Sequence, residues 1–268
     1  MIAASSPSQK RPRKLWWLIG AVLLVGCVLV QMPAAWIVQK YAPDSPYLQH
    51  VSGNLWQGSA IWQVPQAQSA LSGAVDWTWQ PWKLLIGRLG AEVTVTSGKS
   101  TRLNGDVNIG RSGWSVADMS GKISPDTLAA VVDWQLPDAP IQVNALSLDS
   151  EQQRGFVQAD GQLTWVGGEL GYPSGNKTYQ ITLPAMRAEL SAEQKGEKSL
   201  LHASLLNNQD KRLGDFYLDT DNMLDVNLTQ RLLENMPEYK GEAPQDTPVV
   251  SVRQPLLSGL SSAQGVSK

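Results

Sequence analysis

The chain has a single cysteine, Cys27, among its 268 residues and only two histidines, His50 and His202. One cysteine cannot form an internal disulfide, and so few thiol and imidazole groups cannot build the common zinc sites. The sequence also contains neither a Gly-x-Ser-x-Gly motif nor a glycine-rich phosphate-binding loop. These absences argue against a metal ion, a cofactor and the common hydrolase or nucleotide-dependent activities. We therefore expect a non-enzymatic protein.

Charge is missing from one long stretch, because residues 15–30 include no Asp, Glu, Lys or Arg. Extended to residue 38, this stretch has about the 20 residues that a membrane-spanning helix needs. A cluster of cations precedes it, and the positive-inside bias keeps such a cluster in the cytoplasm. The orientation signal is Lys10, Arg11, Arg13 and Lys14, and the anchor side chains are Leu15, Trp16, Trp17, Leu18, Ile19, Val22, Leu23, Leu24, Val25, Val28, Leu29, Val30 and Trp36.

We therefore predict a cytoplasmic basic tail at residues 1–14, a transmembrane anchor at 15–38 and an exported remainder. Two alternatives for the apolar stretch stay open. A cleavable signal peptide would need a small-residue cleavage site, for which Pro33-Ala34-Ala35 is a poor match. The sequence Leu24-Val25-Gly26-Cys27 resembles a bacterial lipobox, in which the cysteine would be acylated and become the first residue of the mature chain.

Positive charge is scarce in the predicted exported part. Beyond residue 14, 18 Lys and Arg stand against 24 Asp and Glu. A net negative charge of this size argues against nucleic acid and against anionic lipid headgroups as general partners. With no disulfide available, this part must be stabilised by its own core, which a chain of about 200 residues can form.

Alternation of apolar residues with a period of two is the main pattern in the exported part. Leu71, Gly73, Val75, Trp77 and Trp79 share one parity, as expected for a strand with one apolar and one wet face. The same alternation recurs at 91–95, 103–109, 157–165 and 179–183, and a parity shift after Ala145 predicts a bulge or a turn. Short helices are predicted at 80–85, 125–132 and 229–235.

These patterns predict a mainly β fold. An N-terminal single transmembrane helix would be followed by a curved antiparallel β-sheet domain with a few short helices, over residues 39–236. A recurring element, in which a glycine follows an apolar and a small polar residue, supports the curvature, because glycine inside strands marks bends and close backbone approach. Its copies centre on Gly53, Gly73, Gly105, Gly121 and, more loosely, Gly161. The match of 73–77 with 161–165 suggests two related halves.

The arrangement of these residues resembles the type II secretion system protein N family over about residues 15–228. The resemblance rests on the membrane anchor and residues 51–58, followed by Trp77, Pro81, Leu84, Leu85, Gly87, Gly105, Gly121 and Pro125. It implies a bacterial inner-membrane protein with a cytoplasmic N-terminus and a periplasmic β-domain. It further implies an accessory role in exporting folded proteins across the outer membrane, with other inner-membrane and periplasmic secretion components as partners.

The tryptophans near the glycine elements form the candidate partner-docking corner. Its members are the family-motif residues and a following tryptophan run: Gly53, Leu55, Trp56, Gly58, Trp77, Trp79 and Trp82. A tryptophan at a strand turn could anchor a partner protein, or it could close one end of the core. The run from Trp77 to Trp82 could face the membrane interface or pack inside. A group of aspartates, Asp215 to Asp225, lacks the loop pattern of a calcium site, so we predict no metal.

Residues 237–268 are rich in Pro, Ser, Gln and Gly, which predicts a mostly disordered tail. Within it, residues 249–252 are apolar and could add a strand to an exposed sheet edge. Two functions therefore remain open. The chain is either a tethered accessory that binds other secretion components or a periplasmic lipid-bridging protein, or one that binds a lipid or amphiphile in a curled apolar sheet.

Overall fold

The computed structural model describes residues 17, 20, 21, 24, 31–41, 47–64, 71–129, 135–174, 177–196, 198–236 and 239–255. Its strands are β1 Leu48–Gly53, β2 Gln57–Val64, β3 Leu71–Trp79, β4 Leu89–Ser97, β5 Thr101–Ile109, β6 Gly113–Ile123, β7 Ile141–Glu151, β8 Gly155–Trp165, β9 Gly168–Ser174, β10 Lys177–Leu183, β11 Met186–Lys195, β12 Lys198–Asn207, β13 Arg212–Leu218, β14 Met223–Thr229 and β15 Pro248–Pro255. The helices are α1 Ala34–Tyr41, α2 Pro125–Ala129 and α3 Gln230–Leu233, with a 3-10 helix at Pro81–Ile86.

Thirteen of these strands form one sheet, in the order β1 to β8 followed by β11 to β15. Each strand pairs antiparallel with the next strand along the sheet, so the sheet is a long meander. The prediction of a mainly β fold with a large antiparallel sheet and few short helices is confirmed. β9 and β10 form a separate hairpin, which Gln135 joins through a bridge to Gly171.

One row of mostly apolar residues crosses the sheet in register. It runs through Ala60, Val75, Val95, Leu103, Gly121, Val143, Leu163, Ala188, Leu205, Gly214, Leu228 and Val250. We call this the apolar row. Ala60 and Val143 are buried, whereas Val75, Leu103 and Leu205 are only partly buried. One face of the sheet is therefore apolar, and much of it keeps some contact with solvent.

The buried core is concentrated around the second half of the sheet. Val143, Phe156, Leu200 and Leu213 are buried on strands β7, β8, β12 and β13. The β9–β10 hairpin adds two buried side chains that lie opposite each other, Leu170 and Ile181. Leu233 of α3, which contacts β13 and β14, is buried as well.

A crease crosses strands β5 to β8. Asp118 and Ala145 have positive φ angles of 52° and 46°, and the pairing register shifts beside each of them. Ser147 Oγ accepts a hydrogen bond from the Asp118 amide, and Ser120 Oγ accepts one from the Ala145 amide. The crease confirms the predicted bulge at Ala145. It also explains two of the recurring glycines, because Gly105 faces the Met119 backbone and Gly161 faces the Leu146 backbone at this line.

The ends of the chain depart from the predictions in two places. Gln31–Pro33 are not helical and α1 begins only at Ala34, so residues 15–38 do not form one uninterrupted helix. Among the described residues, no helix combines the length and the apolar character needed to cross a bilayer. In the tail predicted to be mostly disordered, Pro248–Pro255 form β15 and pair with β14, so the apolar residues 249–252 add a strand to the sheet edge, as the sequence allowed, and the expectation of disorder is wrong for this segment.

Candidate docking surface

The family-motif residues form the tight connection between β1 and β2. Gly53 has a φ of +85°, and a Cβ there would lie 2.6 Å from both the Gln57 carbonyl oxygen and the Gly58 Cα. Only glycine fits such a conformation without strain. Asn54 Oδ1 accepts hydrogen bonds from the amides of Trp56 and Gln57, at 3.0 and 2.8 Å. The side chain of Asn54 thereby holds the turn that presents Leu55 and Trp56.

The C-terminal part of the predicted anchor is attached to this same turn. The Leu55 amide donates a hydrogen bond to the Met32 carbonyl oxygen over 3.1 Å, and Pro33 forms an isolated β-bridge with Asn54. α1 follows at once, and its Trp36 side chain is 49% exposed with the Lys40 ammonium 5.0 Å from the ring centroid. The motif is therefore the point at which the chain coming from residues 15–30 joins the sheet.

Trp56 and Trp79 pack together at this end of the sheet. Their rings meet edge to face with centroids 6.4 Å apart, and the Trp79 amide donates to the Trp56 carbonyl oxygen over 2.6 Å. Trp77 lies over Gly58 on the neighbouring strand, where a Cβ would be 2.6 Å from its Cζ2. All three tryptophans are partly buried. Edge-to-face aromatic pairs add about 0.5–1.5 kcal/mol beyond the burial of their area.

Trp82 belongs to the corner in sequence but not in packing. It lies on the 3-10 helix that links β3 to β4, and it is 60% exposed. The next residue, Lys83, is buried along its stem, places its ammonium 5.6 Å from the Trp82 ring centroid and forms an ion pair of 3.6 Å with Asp106. Gln80 donates a further hydrogen bond of 2.9 Å to Asp106. These contacts fix the 3-10 helix and hold Trp82 outward.

The structure thus brings together six of the seven predicted corner residues, Gly53, Leu55, Trp56, Gly58, Trp77 and Trp79, and separates Trp82 from them. Lys10, Arg11, Arg13 and Lys14 lie outside the described residues, as do most of the anchor side chains. Of the anchor residues, Trp17 and Leu24 are helical and are 81% and 66% exposed. Met32 and Asn54 were not singled out from the sequence. An asparagine directly after a glycine at the end of a strand was the available signal for the turn.

A comparison with known families decides the relationship of this chain. A family model described as Type II secretion system (T2SS), protein N matches residues 47–230, which is more than half of the chain. The chain belongs to the type II secretion system protein N family. This confirms the resemblance drawn from the motif residues.

A named relative agrees with this assignment. Type II secretion system protein N of Vibrio cholerae serotype O1 is 27% identical over 169 residues, which cover 59% of this chain and 64% of the relative. The chain thus matches a little under two thirds of that protein's length. No solved structure matches the chain. The region matched by the protein N model begins at Tyr47 and so contains the whole partner-docking corner.

The region matched by the protein N model also contains a buried polar cluster, which lies on β12 and β13. Asp215 is 2% exposed, and its carboxylate accepts hydrogen bonds from Arg212 Nε at 2.6 Å and from His202 Nε2 at 2.9 Å. The hydrogen bond with Asp215 raises the pKa of the Arg212 guanidinium, and burial raises the pKa of Tyr217, whose ring stacks on His202. No group of three or more potential metal ligands occurs among the described residues. Through its hydrogen bond with His202, Asp215 on β13 links this strand to β12.

Proposed function

We propose that this protein is a non-enzymatic accessory component of the type II secretion system in the bacterial inner membrane. The charge-free stretch at residues 15–30, within the predicted anchor 15–38, holds it in the membrane, the basic tail stays in the cytoplasm, and the β-sheet domain lies in the periplasm. There the sheet binds other secretion components while folded proteins are exported across the outer membrane. A domain of this kind acts by being held at a defined place, which needs no cofactor.

The hydrogen bond between the Leu55 amide and the Met32 carbonyl oxygen is the observation that best supports the proposal. With it, and with the bridge between Pro33 and Asn54, the first turn of the sheet is fixed to the residues that directly follow the charge-free stretch 15–30. Leu55 is itself a member of the partner-docking corner, and Trp56 is the next residue. Tethering and binding would therefore be coupled through one short segment.

Site-specific photo-crosslinking in cells tests the binding part of the proposal without disturbing the packing. A photo-crosslinking amino acid replaces exposed Gln57, beside the corner, in the full chain. We expect adducts that contain other inner-membrane or periplasmic secretion components, identified by mass spectrometry. Exposed Lys99, in the turn between β4 and β5 at the opposite strand end, is the matched control position. Adducts formed equally from both positions, or from neither, would contradict docking at the corner.

A second function is favoured by the partly exposed apolar row. Val75, Leu103 and Leu205 line one face of the sheet and are not fully covered by other side chains of the described residues. Such a face could bind acyl chains, as in a lipid- or amphiphile-binding protein. Mass spectrometry of the purified full chain would separate the two functions. Stoichiometric phospholipid that survives exchange into lipid-free buffer favours the lipid-binding function, and its absence favours the accessory function.

A further inference from the structure

Exposed apolar side chains gather at one end of the sheet. Trp82 and Leu84, on the 3-10 helix, are 60% and 45% exposed. Leu89 and Ile109 lie opposite each other on β4 and β5 and are 42% and 57% exposed. A soluble surface seldom places several large apolar side chains so close together unless it contacts something. We call this group, with Arg88 and Arg111, the strand-end surface.

The strand-end surface lies at the end of the sheet where the proposed anchor arrives. The 3-10 helix follows directly after Trp79, which packs on Trp56. Trp56 is next to Leu55, whose amide is bonded to Met32. β1 and β3 end, and β2 and β4 begin, at this end of the sheet. The same end of the sheet therefore carries both the anchor attachment and the exposed apolar side chains.

The local charge at the strand-end surface is opposite in sign to that of the exported part as a whole. Arg88 and Arg111 are exposed, and neither makes a salt bridge with any described residue. The nearby Lys83 and Asp106 neutralise each other in their ion pair. Exposed tryptophan, leucine and isoleucine flanked by arginine is the composition that segments at a membrane interface share.

We infer that the strand-end surface rests on the outer leaflet of the inner membrane, with its apolar side chains at the headgroup level and Arg88 and Arg111 against lipid phosphates. This inference rests on the proposed anchoring, and it gives the anchored sheet a fixed orientation. It also divides the predicted tryptophan run. Trp77 and Trp79 pack within the sheet, whereas Trp82 contacts lipid.

The test uses the full chain in nanodiscs of phosphatidylethanolamine and phosphatidylglycerol. In a Cys27→Ser background, Leu84→Cys carries an environment-sensitive fluorophore, and spin-labelled lipid with its label near the headgroup acts as quencher. Val166→Cys is the control, because Val166 is also apolar and is 74% exposed but follows β8 at the opposite strand end. We expect the fluorophore at residue 84 to be blue-shifted and quenched, and the one at residue 166 to be neither.

Charge variants probe the arginines. Arg88→Glu with Arg111→Glu should reduce the quenching at residue 84, while Lys99→Glu with Arg102→Glu makes the same charge change at the opposite end and should not. If the chain stays in the nanodisc but residue 84 is quenched no more than residue 166, the surface does not rest on lipid. Shielding of residue 84 only when other secretion components are present overturns the inference in favour of a protein partner. If the chain is lost from the nanodisc, the proposed anchor itself fails.

Discussion

The indole ring of Trp77 lies directly over Gly58 on the neighbouring strand. A Cβ on Gly58 would be 2.6 Å from Trp77 Cζ2 and 2.5 Å from the Ser52 carbonyl oxygen. The same relationship recurs between β2 and β3 with the strands exchanged, because here the tryptophan, Trp62, is on β2 and the glycine, Gly73, is on β3. Two ring atoms of Trp62 would be 2.8 Å from a Cβ on Gly73. Aromatic rings that cover strand glycines stabilise curved sheets by restoring the contacts that glycine lacks.

The first prediction concerns this pair. Gly58→Ala should destabilise the protein by about 1–3 kcal/mol, because both the ring and a backbone oxygen would have to move. Gly110→Ala is the matched control, since the nearest atom to its Cβ is 3.9 Å away. Urea unfolding of the two variants measures the difference. Equal stability of both variants would show that the ring does not depend on the glycine.

The second prediction concerns the turn that joins the sheet to the preceding segment. Asn54→Ala removes the oxygen that accepts hydrogen bonds from Trp56 and Gln57, which should cost about 1–2 kcal/mol. It should also make residues 31–41 more accessible to protease, because Leu55 and Asn54 bind Met32 and Pro33. Asn54→Asp keeps the acceptor oxygen and should behave nearly as the unaltered chain. Limited proteolysis with mass mapping reports both effects.

The third prediction concerns the buried carboxylate. Asp215→Asn weakens its bonds to Arg212 and His202 and should destabilise the fold by about 2 kcal/mol. This is below the roughly 3–5 kcal/mol typical of a wholly buried pair, because the Arg212 side chain is 49% exposed and water can take over part of the contact. Asp221→Asn removes an exposed partner of Lys198 and should change the stability by less than about 0.5 kcal/mol. Similar losses in both variants would contradict the assignment.

The fourth prediction concerns β15. Deleting residues 247–268 uncovers the edge of β14, so we expect a lower melting temperature and more self-association, as exposed strand edges pair with other chains. Deleting only residues 256–268 keeps β15 and should leave both properties unchanged. Thermal unfolding and light scattering compare the two truncations. Identical behaviour would mean that β15 does not protect the edge.

Much of the sheet could be predicted because its signals are local. Alternation from Leu71 to Trp79 reports which face is apolar, and the strand there has the odd-numbered residues partly buried. The parity change after Ala145 located a bulge that the positive φ of that residue confirms. The glycine copies indicated curvature, although the sequence could not say which glycine faces a ring and which faces a backbone.

The parts that escaped prediction depend on contacts between distant segments. The hydrogen bond between Met32 and Leu55 joins residues whose own sequences carry no signal for each other. Trp82 belongs to the same run of tryptophans in the sequence as Trp77 and Trp79. Only the 3-10 helix that begins at Pro81 turns its side chain outward. The apolar residues 249–252 indicated a possible edge strand within a tail of disorder-favouring composition, but the sequence could not say that the edge of β14 provides its backbone partners.

Site-directed cysteine labelling in cells tests the central claim most directly, since the proposed function requires the two ends of the anchor to face different compartments. Ser8→Cys and Lys99→Cys are made separately in the full chain, with Cys27 kept, and are exposed to a membrane-impermeant maleimide after the outer membrane is permeabilised. The account predicts labelling at residue 99 at once and at residue 8 only after the inner membrane is opened, with the label on the full-length chain. Labelling of both residues from the same side, or a mature chain that lacks residue 8, would contradict it.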